Sequence, residues 1–300
     1  MASPESLAVR KVLFDQAAAR SGKRPSLEEL RQGSEAMFSR FPVDPEAVIG
    51  KAAIEGIPAE WVTAPTAVND RVLLYLHGGG YCYGSCNTRR DLAVRLSRNG
   101  GVRVLLPEFR LAPEHCFPAA VDDVVRVYRW LISSGFAADR IVVGGDSSGG
   151  GLAVALLVSL RDAGDPLPAA GVLLSPWTDL EASGESMVTR AEFDPLIDPE
   201  ALRTLALLYA GDADVRHPLI SPIYADLHEL PPLLVHVGRD ECLLDDSVRL
   251  VRRAQAAGVD VSFKIWEDMW HTFQVFAGSV PEAFSAVAEI GAYVAAKVGS

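Results

Sequence analysis

Short apolar runs recur along this chain, at residues 72–76, 102–106, 141–143, 170–174 and 233–237. Each is rich in branched side chains and almost free of polar interruption, the pattern of strands buried on both faces. The segments between them carry helical spacing, at 88–98, 118–133, 152–163 and 245–257. A further strand is predicted at 261–266 and a last helix at 281–298. Strands that alternate with helices imply an α/β fold whose sheet is mostly parallel and covered by helices on both sides.

Two stretches depart from this rhythm. Residues 4–40 read as helical, with Ser26 placed to cap a helix and Glu29 three residues on to complete a capping box. Phe41-Pro-Val-Asp-Pro45 breaks the pattern, and strands are predicted at 48–55 and 59–64. The alternation lapses again between Leu180 and Tyr224, where Gly184, Pro195, Pro199, Pro218 and Pro222 interrupt the chain around one helix at 199–209. That stretch is an excursion from the sheet.

Composition narrows the function. Three hundred residues with 49% hydrophobic content can fill one large α/β core. The net charge is −11 and the basic residues are scattered, so a nucleic-acid surface is not expected. The N-terminal residues lack the basic start and apolar core of a signal peptide. The longest apolar run, 152–158, is too short to cross a bilayer, so a cytoplasmic protein without membrane insertion is expected. Cys82, Cys86, Cys116 and Cys242 are then expected as reduced thiols. No set of four Cys or His ligands accompanies them, and no metal is expected.

The strand at 141–143 runs into Gly144-Gly145-Asp146-Ser147-Ser148-Gly149, and a helical segment follows. G-x-S-x-G at a strand-to-helix turn lifts a serine hydroxyl clear of the sheet. The spacing selects Ser147 as nucleophile and leaves Ser148 as a backbone N–H donor. Such a serine needs a base, and a carboxylate to orient that base. Of six histidines, His271 lies in a loop beyond the strand at 261–266, where sheet enzymes place chemistry. Asp240 follows the strand at 233–237 and is the preferred acid, with Glu241, Asp245 and Asp246 as competitors. Asp245 and Asp246 look like helix-start carboxylates. The strand at 72–76 ends in His77-Gly78-Gly79-Gly80, whose Gly78 and Gly79 amides join that of Ser148 as candidate oxyanion donors. A phosphate cradle fails because no Gly-Lys-Ser/Thr follows these glycines.

His77-Gly-Gly-Gly80, Gly145-Asp-Ser-Ser-Gly149, Asp240 and His271 together resemble the hormone-sensitive lipase family, the bacterial family IV esterases of the α/β-hydrolase fold. Phe109-Arg-Leu-Ala-Pro-Glu114 resembles that family's Tyr-Arg-Leu-Ala-Pro-Glu signature, and Ser175-Pro-Trp177 and Ser221-Pro222 match its pattern. The resemblance spans residues 50–300 and implies short-chain acyl esters and no cofactor. It also implies a cap, here residues 1–45 and 180–222, over a catalytic domain of 46–179 and 223–300. His77 and Glu114 would then be structural supports. Many members carry His-Gly-Phe where this chain has His271-Thr272-Phe273, a feature similar to a subgroup of lactone hydrolases and acetyl esterases. Tyr81, Tyr83, Trp177, Met187, Leu208 and Tyr209 are candidate substrate walls, with ordinary packing as the alternative for each. Dimerisation through the last strand and helix is common in the family.

The expected function is serine carboxylesterase acting on a small-molecule ester. A deacetylase or amidase with the same triad is one rival. A non-catalytic receptor of the same fold is another, although the plant gibberellin receptors of this family lack the histidine that His271 supplies.

Overall fold

A computed structural model describes residues 2–19 and 25–299. The expectation of helix over 20–24 lies outside the described residues. The N-terminal helices are α1 (Pro4–Ala19) and α2 (Leu27–Phe38). Ser26 caps α2, and its capping box with Glu29 is formed. The strands are β1 (Val48–Ile54), β2 (Ile57–Thr63), β3 (Val68–Leu76), β4 (Val102–Pro107), β5 (Ile141–Asp146), β6 (Ala170–Leu174), β7 (Leu233–Gly238) and β8 (Val261–Trp266). The remaining α-helices are α3 (Cys86–Gly100), α4 (Ala119–Ser133), α5 (Ser148–Ala163), α6 (Ser186–Thr189), α7 (Pro199–Ala210), α8 (Leu244–Ala256) and α9 (Pro281–Gly299). Among the described residues, no helix is long and apolar enough to cross a membrane.

These eight strands form one sheet in the order β1-β2-β4-β3-β5-β6-β7-β8, parallel except where β2 pairs antiparallel with β1 and with β4. Successive residues of a strand feed opposite faces. In β3, Val72, Leu74 and Leu76 join a core with α4, α5 and α8, while Leu73 and Tyr75 join one with α3 and α9. Both faces are dry, which explains why the strands read as unbroken apolar runs rather than alternating ones. β5 lies between β3 and β6, so its C-terminal end opens at the middle of the sheet beside the end of β3.

The segments outside the sheet are tied down at separate points. Ser3 and Ser6 of the α1 region hydrogen-bond Glu282 of α9. Asp245 and Asp246 do not cap their own helix. Their carboxylates accept from the Ser186, Thr178 and Asp179 amides and anchor the segment that leaves β6.

Candidate active site

The elbow at the end of β5 is fixed by close backbone approach. A Cβ on Gly145 would sit 2.3 Å from the Gly149 oxygen, and one on Gly149 would sit 2.0 Å from the Leu76 oxygen. Ser147 between them has φ 54° and ψ −123°. A non-glycine residue there costs on the order of 1–3 kcal/mol. The Ser147 amide donates to the Leu174 oxygen, and the Ser147 oxygen accepts from the Gly151 and Trp177 amides. These bonds hold the serine in its strained form.

The structure brings Ser147 and His271 together. The Ser147 Oγ lies 3.0 Å from the His271 Nε2. The other ring nitrogen, Nδ1, lies 3.0 Å from Glu241 Oε1. The second carboxylate oxygen of Glu241 accepts from the Gly238 amide and from the Ser175 hydroxyl, each at 2.7 Å. The Ser175 Oγ in turn accepts from the Thr272 amide at 3.2 Å. The carboxylate is thus held through both oxygens, and Ser175 links it to the loop that carries the histidine. Thr272 sits in the left-handed region with φ 47°. Glycine adopts that conformation without strain, which gives physical meaning to the departure from the His-Gly-Phe pattern.

Asp240 does not reach the histidine, which corrects the expectation from sequence. Its side chain turns the other way, to Arg10 of α1 at 2.9 Å and Arg190 at 3.8 Å. Adjacent side chains leave the backbone in different directions, and only Glu241 is aimed at the ring.

Burial alone would disfavour the imidazolium of His271. The hydrogen bond and charge of Glu241, followed by the charges of Asp194 and Asp146, more than offset it, so the His271 pKa lies above the ordinary histidine value. Asp194, from the segment between β6 and α7, is buried and accepts from the Cys242 and Leu196 amides. Burial, reinforced by the charge of Glu241, pushes its pKa up to about 6.

The glycine turn also differs from expectation. The Gly78 amide donates to Asp146 Oδ1 at 3.2 Å and is therefore not free for a ligand. The amides of Gly79 and Gly80 have no acceptor among the described residues, and both glycines line the cavity above Ser147. The Ser148 amide opens α5, where N–H groups lack intrahelical partners and the helix dipole favours negative charge. Asp146 itself is fully buried. Arg89 of α3 holds it through Nε and Nη2 at 2.8–3.1 Å, and the Tyr75 hydroxyl adds a bond at 3.0 Å. Burial would raise the Asp146 pKa, but Arg89 reverses this and keeps it low.

His77 is buried and stacks on Phe109 with 4.3 Å between ring centroids. Its Nδ1 bonds the Gly78 oxygen at 3.0 Å, which braces the glycine turn, and burial lowers its pKa. Glu114 is half exposed and pairs with Arg31 of α2. Arg31 also donates to the Cys82 and Ala112 oxygens, so this group ties α2 to the loops beside the glycine turn.

A cavity of about 530 Å³ lies over Ser147 and His271. Of the six residues predicted as substrate walls, only Tyr83 lines it. Tyr81, Trp177, Met187 and Tyr209 are core residues, and Leu208 packs against the same core. Tyr81 and Tyr209 stack on each other at 3.7 Å. The walls that sequence reasoning missed are Leu30, Met37 and Phe38 of α2, with Leu196, Ile197 and Leu202 from the other segment. The apolar stripe of α2 carried the signal for the first three. Among the described residues, no group of three or more His, Cys, Asp or Glu side chains could hold a metal ion. The four cysteines are free thiols.

A family model described as alpha/beta hydrolase fold matches residues 73–275. The acetyl-hydrolase of Streptomyces hygroscopicus is 40% identical over 299 residues, covering 100% of this chain and 99% of that protein. The crystal structure of an esterase from the bacterial hormone-sensitive lipase family is 47% identical, with a TM-score of 0.96 over 99% of both chains. EstE5, in crystals soaked with p-nitrophenyl butyrate, is 42% identical, with a TM-score of 0.96 over 100% of both chains. An eight-stranded α/β-hydrolase sheet with a serine elbow at its centre defines the class of protein. The chain belongs to the α/β-hydrolase family, with the bacterial hormone-sensitive lipase-like esterases, and is a carboxylic ester hydrolase.

Proposed function

We propose that the chain hydrolyses short-chain acyl esters through an acyl-enzyme, with Ser147 as nucleophile, His271 as base and Glu241 as the orienting acid. The observation that carries this reading is the continuous hydrogen-bonded line from the Ser147 Oγ through both His271 ring nitrogens to Glu241. Ser147 attacks the ester carbonyl carbon while the His271 Nε2 takes its proton. The carbonyl oxygen becomes an oxyanion that accepts from the Gly79, Gly80 and Ser148 amides. Collapse expels the alcohol, which receives the proton from His271 and leaves the acyl group on Ser147. Water then repeats the sequence and releases the acid. Glu241 keeps the Nδ1 proton in place and stabilises the imidazolium.

Residues 1–45 and 180–222 act as the cap in this reading, because both contribute apolar walls above Ser147. The apolar walls from Leu30, Met37, Phe38, Leu196, Ile197 and Leu202 suit the acyl and alcohol groups of a neutral ester. Ser147→Ala is expected to lower kcat/KM on p-nitrophenyl butyrate by about four orders of magnitude or more. Full turnover by that variant would overturn the mechanism.

A further inference from the structure

Gly33 lies inside α2, where glycine is destabilising relative to alanine. Its backbone is not in the left-handed region that favours glycine. Close packing does not require glycine either, because a Cβ built there would meet no atom of the described residues within 4 Å. What the missing side chain leaves is space, and Gly33 lines two cavities. One is the cavity over Ser147. The other is a groove of about 490 Å³ between α1 and α2. Its apolar walls include Val9, Val12 and Leu13 of α1, with Phe41 and Phe276. Gly33 and Met37 line both. Methionine is unbranched and adapts to irregular space, so the shared boundary is one glycine and one pliable side chain.

We propose that the groove between α1 and α2 is a second subsite for the unbranched alkyl chain of an ester substrate, entered from the Ser147 cavity across Gly33. Gly33 is then a specificity-determining residue whose hydrogen side chain keeps the passage open. Gln16 and Arg40 also line the groove and give it a polar margin, while the apolar wall takes the methylenes. The inference rests on Ser147 being the attacking residue.

The test uses the full chain and its Gly33→Leu and Ala36→Phe variants. Ala36 lines the groove but not the Ser147 cavity. Leucine favours helix over glycine, so the first variant is expected to fold. The substrates are p-nitrophenyl acetate, p-nitrophenyl octanoate and octyl acetate, which place an eight-carbon chain on neither side, the acyl side or the alcohol side. In both variants, kcat/KM for at least one octyl-chain ester is expected to fall about tenfold further than for p-nitrophenyl acetate. The ester affected identifies which side of the bond enters the groove. Equal changes on all three substrates would overturn the proposal. A selective loss confined to Gly33→Leu would overturn it too, because the chain would then end in the Ser147 cavity. A wild type that hydrolyses the acetate but neither octyl ester would also overturn it. A wild type inactive on p-nitrophenyl acetate would instead count against the reading of Ser147.

Discussion

The Glu241 carboxylate lies 3.0 Å from the His271 Nδ1, while its chain neighbour Asp240 faces away toward Arg10. Two consecutive carboxylates thus do different work. Glu241 is bonded to the ring. Asp240 joins α1 to the loop after β7, and Arg10 extends that link by donating to the Phe193 and Asp268 oxygens. One arginine of the N-terminal segment therefore touches the loop of the acid, the loop of the histidine and the segment between β6 and α7.

The pH profile follows from the environment of His271. In the proposed mechanism the ring must be neutral to accept the Ser147 proton, so kcat/KM is expected to rise as His271 loses its own proton. Its pKa is raised above 6.5, so the half-rise is expected above pH 6.5. Glu241→Gln removes the main source of the rise and is expected to move the residual acid limb to lower pH. A half-rise at or below pH 6.5, or one unmoved by the substitution, would contradict this account.

Arg89→Met tests the support under the elbow. Asp146 is fully buried, and Arg89 is its cationic partner. Removing that partner leaves an uncompensated carboxylate in the core, at a cost of about 3–5 kcal/mol. Urea unfolding is expected to show that loss. A change below about 1 kcal/mol would mean that the pair contributes little.

Much of this architecture was legible because apolar periodicity is a local property. Apart from the short α6, each core strand and helix from β3 to α9 reads directly from its own residues, and the short apolar runs report a sheet covered on both faces. The meeting of Ser147 and His271 was legible because the elbow and the strand-end loop constrain position along the chain. The choice between Asp240 and Glu241 was not, since it depends on which side chain faces the ring across a turn. Nor was the loss of Gly78 as a free donor, which requires knowing that Asp146 folds back on its amide. An acid at the end of an apolar strand does signal a buried partner, and Arg89 answers that signal from α3. The choice between substrate wall and ordinary packing was not legible either: Tyr83 lines the cavity, while Tyr81 packs between Trp177 and Tyr209.

Asp194 makes stability depend on pH. Its folded pKa of about 6 lies above the ordinary 3.8, because burial and then Glu241 disfavour its charge. The stabilisation it gives is fully present below about pH 3.8 and is lost as pH rises through about 6. Relative to Asp194→Asn, the wild type is expected to lose about 3 kcal/mol between those limits. Unfolding free energies of both proteins across this range check it, and a constant difference would count against it.

The paired kcat values of Glu241→Gln and Asp240→Asn, measured on p-nitrophenyl butyrate at saturating substrate, decide the identity of the acid. Glu241→Gln is expected to lower kcat by about three to four orders of magnitude, because the imidazole loses its oriented tautomer and the charge that stabilises its cation. Asp240→Asn is expected to stay within about tenfold of wild type, since it weakens a partly exposed ion pair with Arg10 rather than the line to Ser147. The reverse order, with Asp240→Asn inactive and Glu241→Gln near wild type, would contradict the assignment of Glu241.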